Sequence, residues 1–219
     1  MSAEPLLIQA LHDDRTLDRE GRPVLELSMS RPHLPGEGVP VRRVERYYQA
    51  LCKNWMAHWT GPLYRRACEG EEAALAAARP FTPWKAAFTW SVTHADEQVL
   101  SLCWEAVEEG DGPRRVCRRY DVWSRKDGRP LTLADVLPQR KGWRAQVRRR
   151  VARQLEELAD RTPEEVLPRW RAGLGRALRA GRFYLTPEGP VLLPPRGRGP
   201  PARGAWSPSP PPGETEPGL

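Results

Sequence analysis

Three segments between residues 86 and 123 limit the possible folds most, because each alternates apolar and polar residues at period two. AAFTWSVTHA (86–95) puts Phe88, Trp90, Val92 and His94 on one face and Thr89, Ser91 and Thr93 on the other. VLSLCWEAV (99–107) sets Leu100, Leu102 and Trp104 on one face, and RRVCRRYDVW (114–123) alternates Val116, Tyr120 and Val122 with Cys117, Arg119, Asp121 and Trp123. Asp96-Glu97-Gln98 and EEGDGP separate them by short turns, which predicts an antiparallel meander.

Helical periodicity brackets the meander. Val44, Tyr47, Tyr48, Leu51, Trp55 and Trp59 recur at steps of three and four, predicting a helix over about 41–59 that packs on a sheet. Gly61-Pro62 is expected to interrupt it before an Ala-rich helix over about 63–78. VLELSMSR (24–31) reads as an earlier strand. After the meander, Asp127-Gly128 supplies a turn, with Gly128 at a positive φ that a Cβ would oppose. Thr132 and Asp135 form a Thr-x-x-Asp capping box for a short helical turn over 133–137. Trp143, Val147, Val151, Leu155 and Leu158 stripe a helix over 143–159, and Thr162-Pro163-Glu164-Glu165 opens a further one. RFYLTPEGPVLLP (182–194) reads as a hairpin turning at Pro187-Glu188-Gly189. The fold class expected is α+β, with the long aromatic-striped helix and further helices packed on an antiparallel meander and a C-terminal β-hairpin.

Composition sets the boundaries. Of the 24 prolines in 219 residues, nine fall within 194–219, together with five glycines. Such a segment offers too little apolar surface to offset its ordering entropy, so 194–219 is expected to be a disordered tail. Its PSPPPGE stretch has polyproline character. Residues 1–23 are expected to be a flexible N-terminal segment, leaving 24–193 as a single domain. No apolar run is long enough for a spanning helix, and the short apolar run near the N-terminus lacks a basic flank and stops at His12-Asp13-Asp14. The chain as written is expected to be cytoplasmic; a segment upstream would make it extracytoplasmic.

No assembled chemistry emerges, and neither catalytic, cofactor-binding nor metal-binding residues are assigned. Cys52, Cys68, Cys103 and Cys117 show no CxxC or zinc-ligand spacing. A hairpin centred near Gly110 would set Cys103 and Cys117 close to opposite each other, as buried thiols or as a cross-strand pair in an oxidising compartment. Asp96, Glu97, Glu108, Glu109, Asp111, Asp121 and Asp127 read as turn carboxylates rather than an acid–base pair. His94, with Ser91 and Thr93 nearby, lacks an orienting third group and a GxSxG elbow. The net charge of +7 and the cluster Arg140, Lys141, Arg144, Arg148, Arg149, Arg150 and Arg153 admit a solvated surface or an anionic partner, nucleic acid included.

The order of motifs resembles a family. Trp123, Gly128, Leu131, Thr132, Leu133, Asp135 and Val136 form one signature, and Phe183, Tyr184, Leu185, Thr186, Gly189 and Val191 a second. Together they are similar to the bacterial domain of unknown function found in RsiV-like anti-sigma regulators and beside some peptidoglycan deacetylase domains. The resemblance spans about 24–193. It implies a non-catalytic binding or sensory module whose ligand is a protein of lysozyme type or a cell-wall fragment, with no cofactor. A basic protein that binds nucleic acid or another anionic polymer is the alternative reading.

Overall fold

The computed structural model describes residues 8–137, 142, 145, 147–149, 153 and 182–193. The fold is α+β: a five-stranded mixed sheet, a long helical run across one face and a two-stranded hairpin. Strand β1 (Gln9–Arg19) and β2 (Arg22–His33) form an antiparallel hairpin. Helix α1 (Val39–His58), a π turn (Trp59–Leu63) and helix α2 (Tyr64–Ala76) cross over to β3 (Trp84–Ala95), which runs parallel to β2. Parallel neighbours need a long connection, and the helical run supplies it. Strands β4 (Val99–Glu109) and β5 (Arg115–Ser124) complete the order β1-β2-β3-β4-β5. A single helical turn, α3 (Leu133–Val136), precedes the hairpin of β6 (Phe183–Thr186) and β7 (Gly189–Leu192).

The meander forms as its alternation requires, but the fold departs from expectation elsewhere. Residues 9–19 are not a flexible segment: they pair along the full length of β2, which supplies the backbone partners an isolated polar strand lacks. Gly61-Pro62 does not break the helix. Pro62 has no N–H to donate, and the wider π turn from Trp59 to Leu63 takes its ring while the axis continues into α2. His94 does not share the Phe88 face, because a bulge between Val92 and His94 moves it into register with Ser101. Cys103 pairs in register with Tyr120 and Cys117 with Ala106, so the two thiols are not opposite, and all four cysteines are free.

Two cores result. The larger lies between the helical run and the sheet, where Tyr48, Trp59, Leu63 and Ala67 meet Leu25, Leu27, Phe88, Leu100, Leu102 and Trp104. Phe88 stacks on Trp104 with ring centroids 5.4 Å apart. The smaller core joins Val122, Leu133, Phe183 and Leu185 across the opposite face, and Tyr120 stacks on Tyr184 at 4.4 Å. The Thr132–Asp135 capping box closes as expected, with the Asp135 carboxylate accepting from the Thr132 N–H at 2.8 Å. The expected helix from 162, most of the one over 143–159 and the tail at 194–219 lie outside the described residues. No helix among the described residues is long and apolar enough to cross a membrane.

Candidate functional site: a basic groove beside the edge strand

The helical run covers the centre of the sheet and leaves β1 open. An open groove therefore runs between α1 and the β1–β2 hairpin. Its larger part, about 500 Å³, is lined by Leu11, Asp13, Arg15, Met29 and Arg31 from the strands and by Gln49, Cys52, Lys53, Met56 and Thr60 from the helices, among others. A second part of about 340 Å³ shares Leu11, Arg31 and Gln49 and extends past His33 to Arg42, Glu45 and Arg46.

Named contacts tie the β1–β2 hairpin to the helical run. At the hairpin turn, Glu71 of α2 is buried at 3% exposure and accepts from Arg22 Nε at 2.8 Å, with Arg19 Nη1 3.9 Å from its other oxygen. Arg19 also donates to the Cys68 carbonyl and pairs with Glu72, while Tyr64 Oη donates to the Asp18 carbonyl at 2.8 Å. At the other end, the Glu45 carboxylate accepts from the Leu34 N–H and pairs with His33.

The electrostatics of the groove are asymmetric. Arg15 is held by Asp13 in a two-pronged contact, which lowers the Asp13 carboxyl below its ordinary value. Among the described residues, Arg31, Arg42, Arg46 and Lys53 make no ion pair. Residues 42, 46, 49 and 53 fall within about 60° of one another around α1, so these cations form one stripe. The stripe is about 16 Å long at the helical rise per residue. Leu11, 41% exposed, and the partly buried Met56 give the groove an apolar strip, while Met29 is 3% exposed and belongs to the core. Burial pushes the Cys52 thiol up to about 11, so it lies in the wall as an unreactive apolar group.

The carboxylates singled out in the sequence do not converge. Asp96 caps its own turn, accepting from the Gln98 and Val99 N–H groups, and pairs with His94 at 3.0 Å. Glu108 accepts from His58 and from the Trp59 indole, which steadies the π turn. Glu109 pairs with Arg114, and Asp127 accepts from the Arg129 N–H within its turn. Ser91 lies exposed on β3 in register with Cys103. Asp121 differs from the expected turn acid: partly buried at the margin of the main core, it accepts from Tyr48 Oη at 3.1 Å and Trp104 Nε1 at 3.0 Å. Burial raises its carboxyl above the ordinary value, and Tyr48 is pushed well above its own.

The sequence reading missed the groove. Its signal was present as the 4-3-4 spacing of Arg42, Arg46, Gln49 and Lys53, on a flank of the aromatic stripe. The aromatic residues of α1 and the basic cluster at 140–153 are the stronger signals in the sequence. Most of that cluster lies outside the described residues.

No family model matches the chain, and no curated protein matches it. Among solved structures, a DUF3298 family member from Bacteroides fragilis NCTC 9343 is 16% identical, covering 87% of this chain and 90% of its own, with a TM-score of 0.55. A DUF3298 family protein from Pseudomonas aeruginosa PAO1 is 13% identical, covering 74% of this chain and 72% of its own, with a TM-score of 0.44. The likeness is one of fold: this chain is similar in architecture to a DUF3298 family protein.

Proposed function

We propose that this chain is a non-catalytic binding domain whose ligand, a protein or a cell-envelope component, lies in the groove between α1 and the β1–β2 hairpin. The observation that carries this reading is the set of four cations without carboxylate partners around an open groove with an apolar strip. Like charges in one groove concentrate a positive potential that an anionic ligand neutralises. The loop carboxylates support the same reading, since Asp96, Glu108, Glu109, Asp121 and Asp127 are each engaged by a nearby donor within the fold. A screen of wild-type protein against lysozymes, cell-wall fragments and mixed oligonucleotides tests it. A ligand found this way is expected to bind about tenfold more weakly or worse to the double variant Arg46→Glu, Lys53→Glu, at an unchanged melting temperature. Ligands unaffected by that double variant, or hydrolase or deacetylase turnover by the purified chain, would overturn the reading.

The second reading, nucleic acid or another anionic polymer, is favoured by the same cations and the net charge of +7. It requires an affinity that falls steeply with salt. A flat response eliminates it.

A further inference from the structure

The chemistry of the groove identifies its ligand more narrowly, on the premise that the groove is the binding site. We infer that it receives an extended acidic segment of another protein, with apolar side chains alternating with carboxylates.

Three observations converge on that occupant. First, the cations are arranged along a line. Arg42, Arg46 and Lys53 follow one edge of α1, and Arg31 of β2 faces the same space. Three of the four are arginines, whose planar forks match carboxylates with two parallel hydrogen bonds. A line of about 16 Å corresponds to about five residues of extended chain.

Second, the lining is not uniformly polar. Leu11, Met56 and Ala57 expose apolar surface beside those cations. Leu11 is among the few large apolar side chains left exposed in the described structure. An apolar strip contributes only to a ligand that has apolar groups to bury, and methionine adapts to varied shapes. A segment with period-two alternation presents carboxylates to the helix stripe and apolar side chains to the floor.

Third, nucleic acid fits less well. Single strands bind on aromatic stacking platforms, and the described lining contains no Phe, Tyr or Trp. A phosphate polymer offers nothing to Leu11 and Met56. The strand beneath the site is also an edge: β1 has no outer neighbour among the described strands, so its backbone is open to an extended segment alongside.

Fluorescence anisotropy with the full chain tests the inference. The probe is a labelled peptide of about ten residues alternating Asp and Leu, a length that exceeds the stripe. Controls are an Asp-Ser peptide, a Lys-Leu peptide, an oligothymidylate and inorganic polyphosphate. The Asp-Leu peptide is expected to bind, more weakly as salt rises, and about tenfold more weakly to Arg46→Glu, Lys53→Glu. The Asp-Ser peptide and the variant Leu11→Asp are each expected to reduce binding severalfold, and the Lys-Leu peptide to show none. Failure of the Asp-Leu peptide to bind, indifference to the charge reversal, or equal binding of oligothymidylate or polyphosphate would overturn the inference. Loss of oligothymidylate or lysozyme binding in the double variant would leave the groove as the site and change only its ligand. If no tested ligand responds to the double variant, the groove reading falls as well. Circular dichroism on both variants separates lost binding from lost folding.

Discussion

Asp121 shows how far one residue depends on surroundings that its neighbours in sequence do not describe. It accepts from Tyr48 of α1 and Trp104 of β4, and Trp123 Nε1 donates to the same Tyr48 oxygen at 3.3 Å. Asp121→Ala leaves two buried donors without an acceptor and is expected to cost about 2–4 kcal/mol, measured by denaturant unfolding. Burial raises the Asp121 carboxyl, so the folded chain holds that proton more tightly than the unfolded one. Stability contributed at this site therefore declines as pH rises from the ordinary carboxyl value through the raised one. Asp121→Asn cannot ionise and escapes the decline. Its melting temperature relative to wild type is expected to climb as pH rises above the ordinary carboxyl value, and a constant difference would contradict the assigned direction. Gly128 is the second residue whose identity is dictated. Its φ is +68°, and an added Cβ would lie 2.4 Å from the Pro40 carbonyl oxygen. Gly128→Ala is expected to lower stability by about 1–3 kcal/mol; an unchanged melting temperature would mean that the α1 entry and the turn move apart freely. The positive φ was legible from Asp127-Gly128, whereas the approach to Pro40, across more than 80 positions of chain, was not.

Among the elements, α1 carries two stripes with different destinations. Val44, Tyr48 and Cys52 enter the core, while Arg42, Arg46, Gln49 and Lys53 line the groove. The period of a helix gives both sets, but which flank meets solvent and which meets a neighbouring strand depends on how far the sheet extends. Here it extends to β1, a strand whose side chains are nearly all exposed. Strands without a buried face carry little apolar alternation, which is why residues 9–19 read as flexible. Their order comes from pairing with β2 and from the Glu71 contacts with Arg19 and Arg22. Glu71→Ala is expected to speed amide hydrogen exchange across Gln9–Arg19 while leaving the centre of α1 protected. Equal acceleration in both elements would show that the ion-pair cluster supports the whole fold rather than the hairpin.

At the scale of the molecule, the meander carries a core on each face, and Ser101 is one point where it holds the β6–β7 hairpin. It is fully buried, its hydroxyl accepts from Thr93 Oγ1 at 2.7 Å, and it also accepts from the Leu185 N–H at 3.1 Å. Ser101→Ala leaves that N–H buried without a partner and is expected to cost about 1–3 kcal/mol in denaturant unfolding. A neutral result would mean that the β6–β7 hairpin settles elsewhere on the sheet. The α+β class, the three-stranded meander, the capped turn at Thr132 and the closing hairpin were determined by the sequence itself. Each rests on local periodicity or on turn chemistry within a few residues. The tertiary structure alone decided the parallel pairing of β2 with β3, the inclusion of β1, the bulge that turns His94, and the burial of Asp121. It also decided the groove, because a line of cations on a helix becomes a site only when an edge strand is placed opposite it. Those features depend on which distant segments lie side by side, and period and propensity hold no record of that.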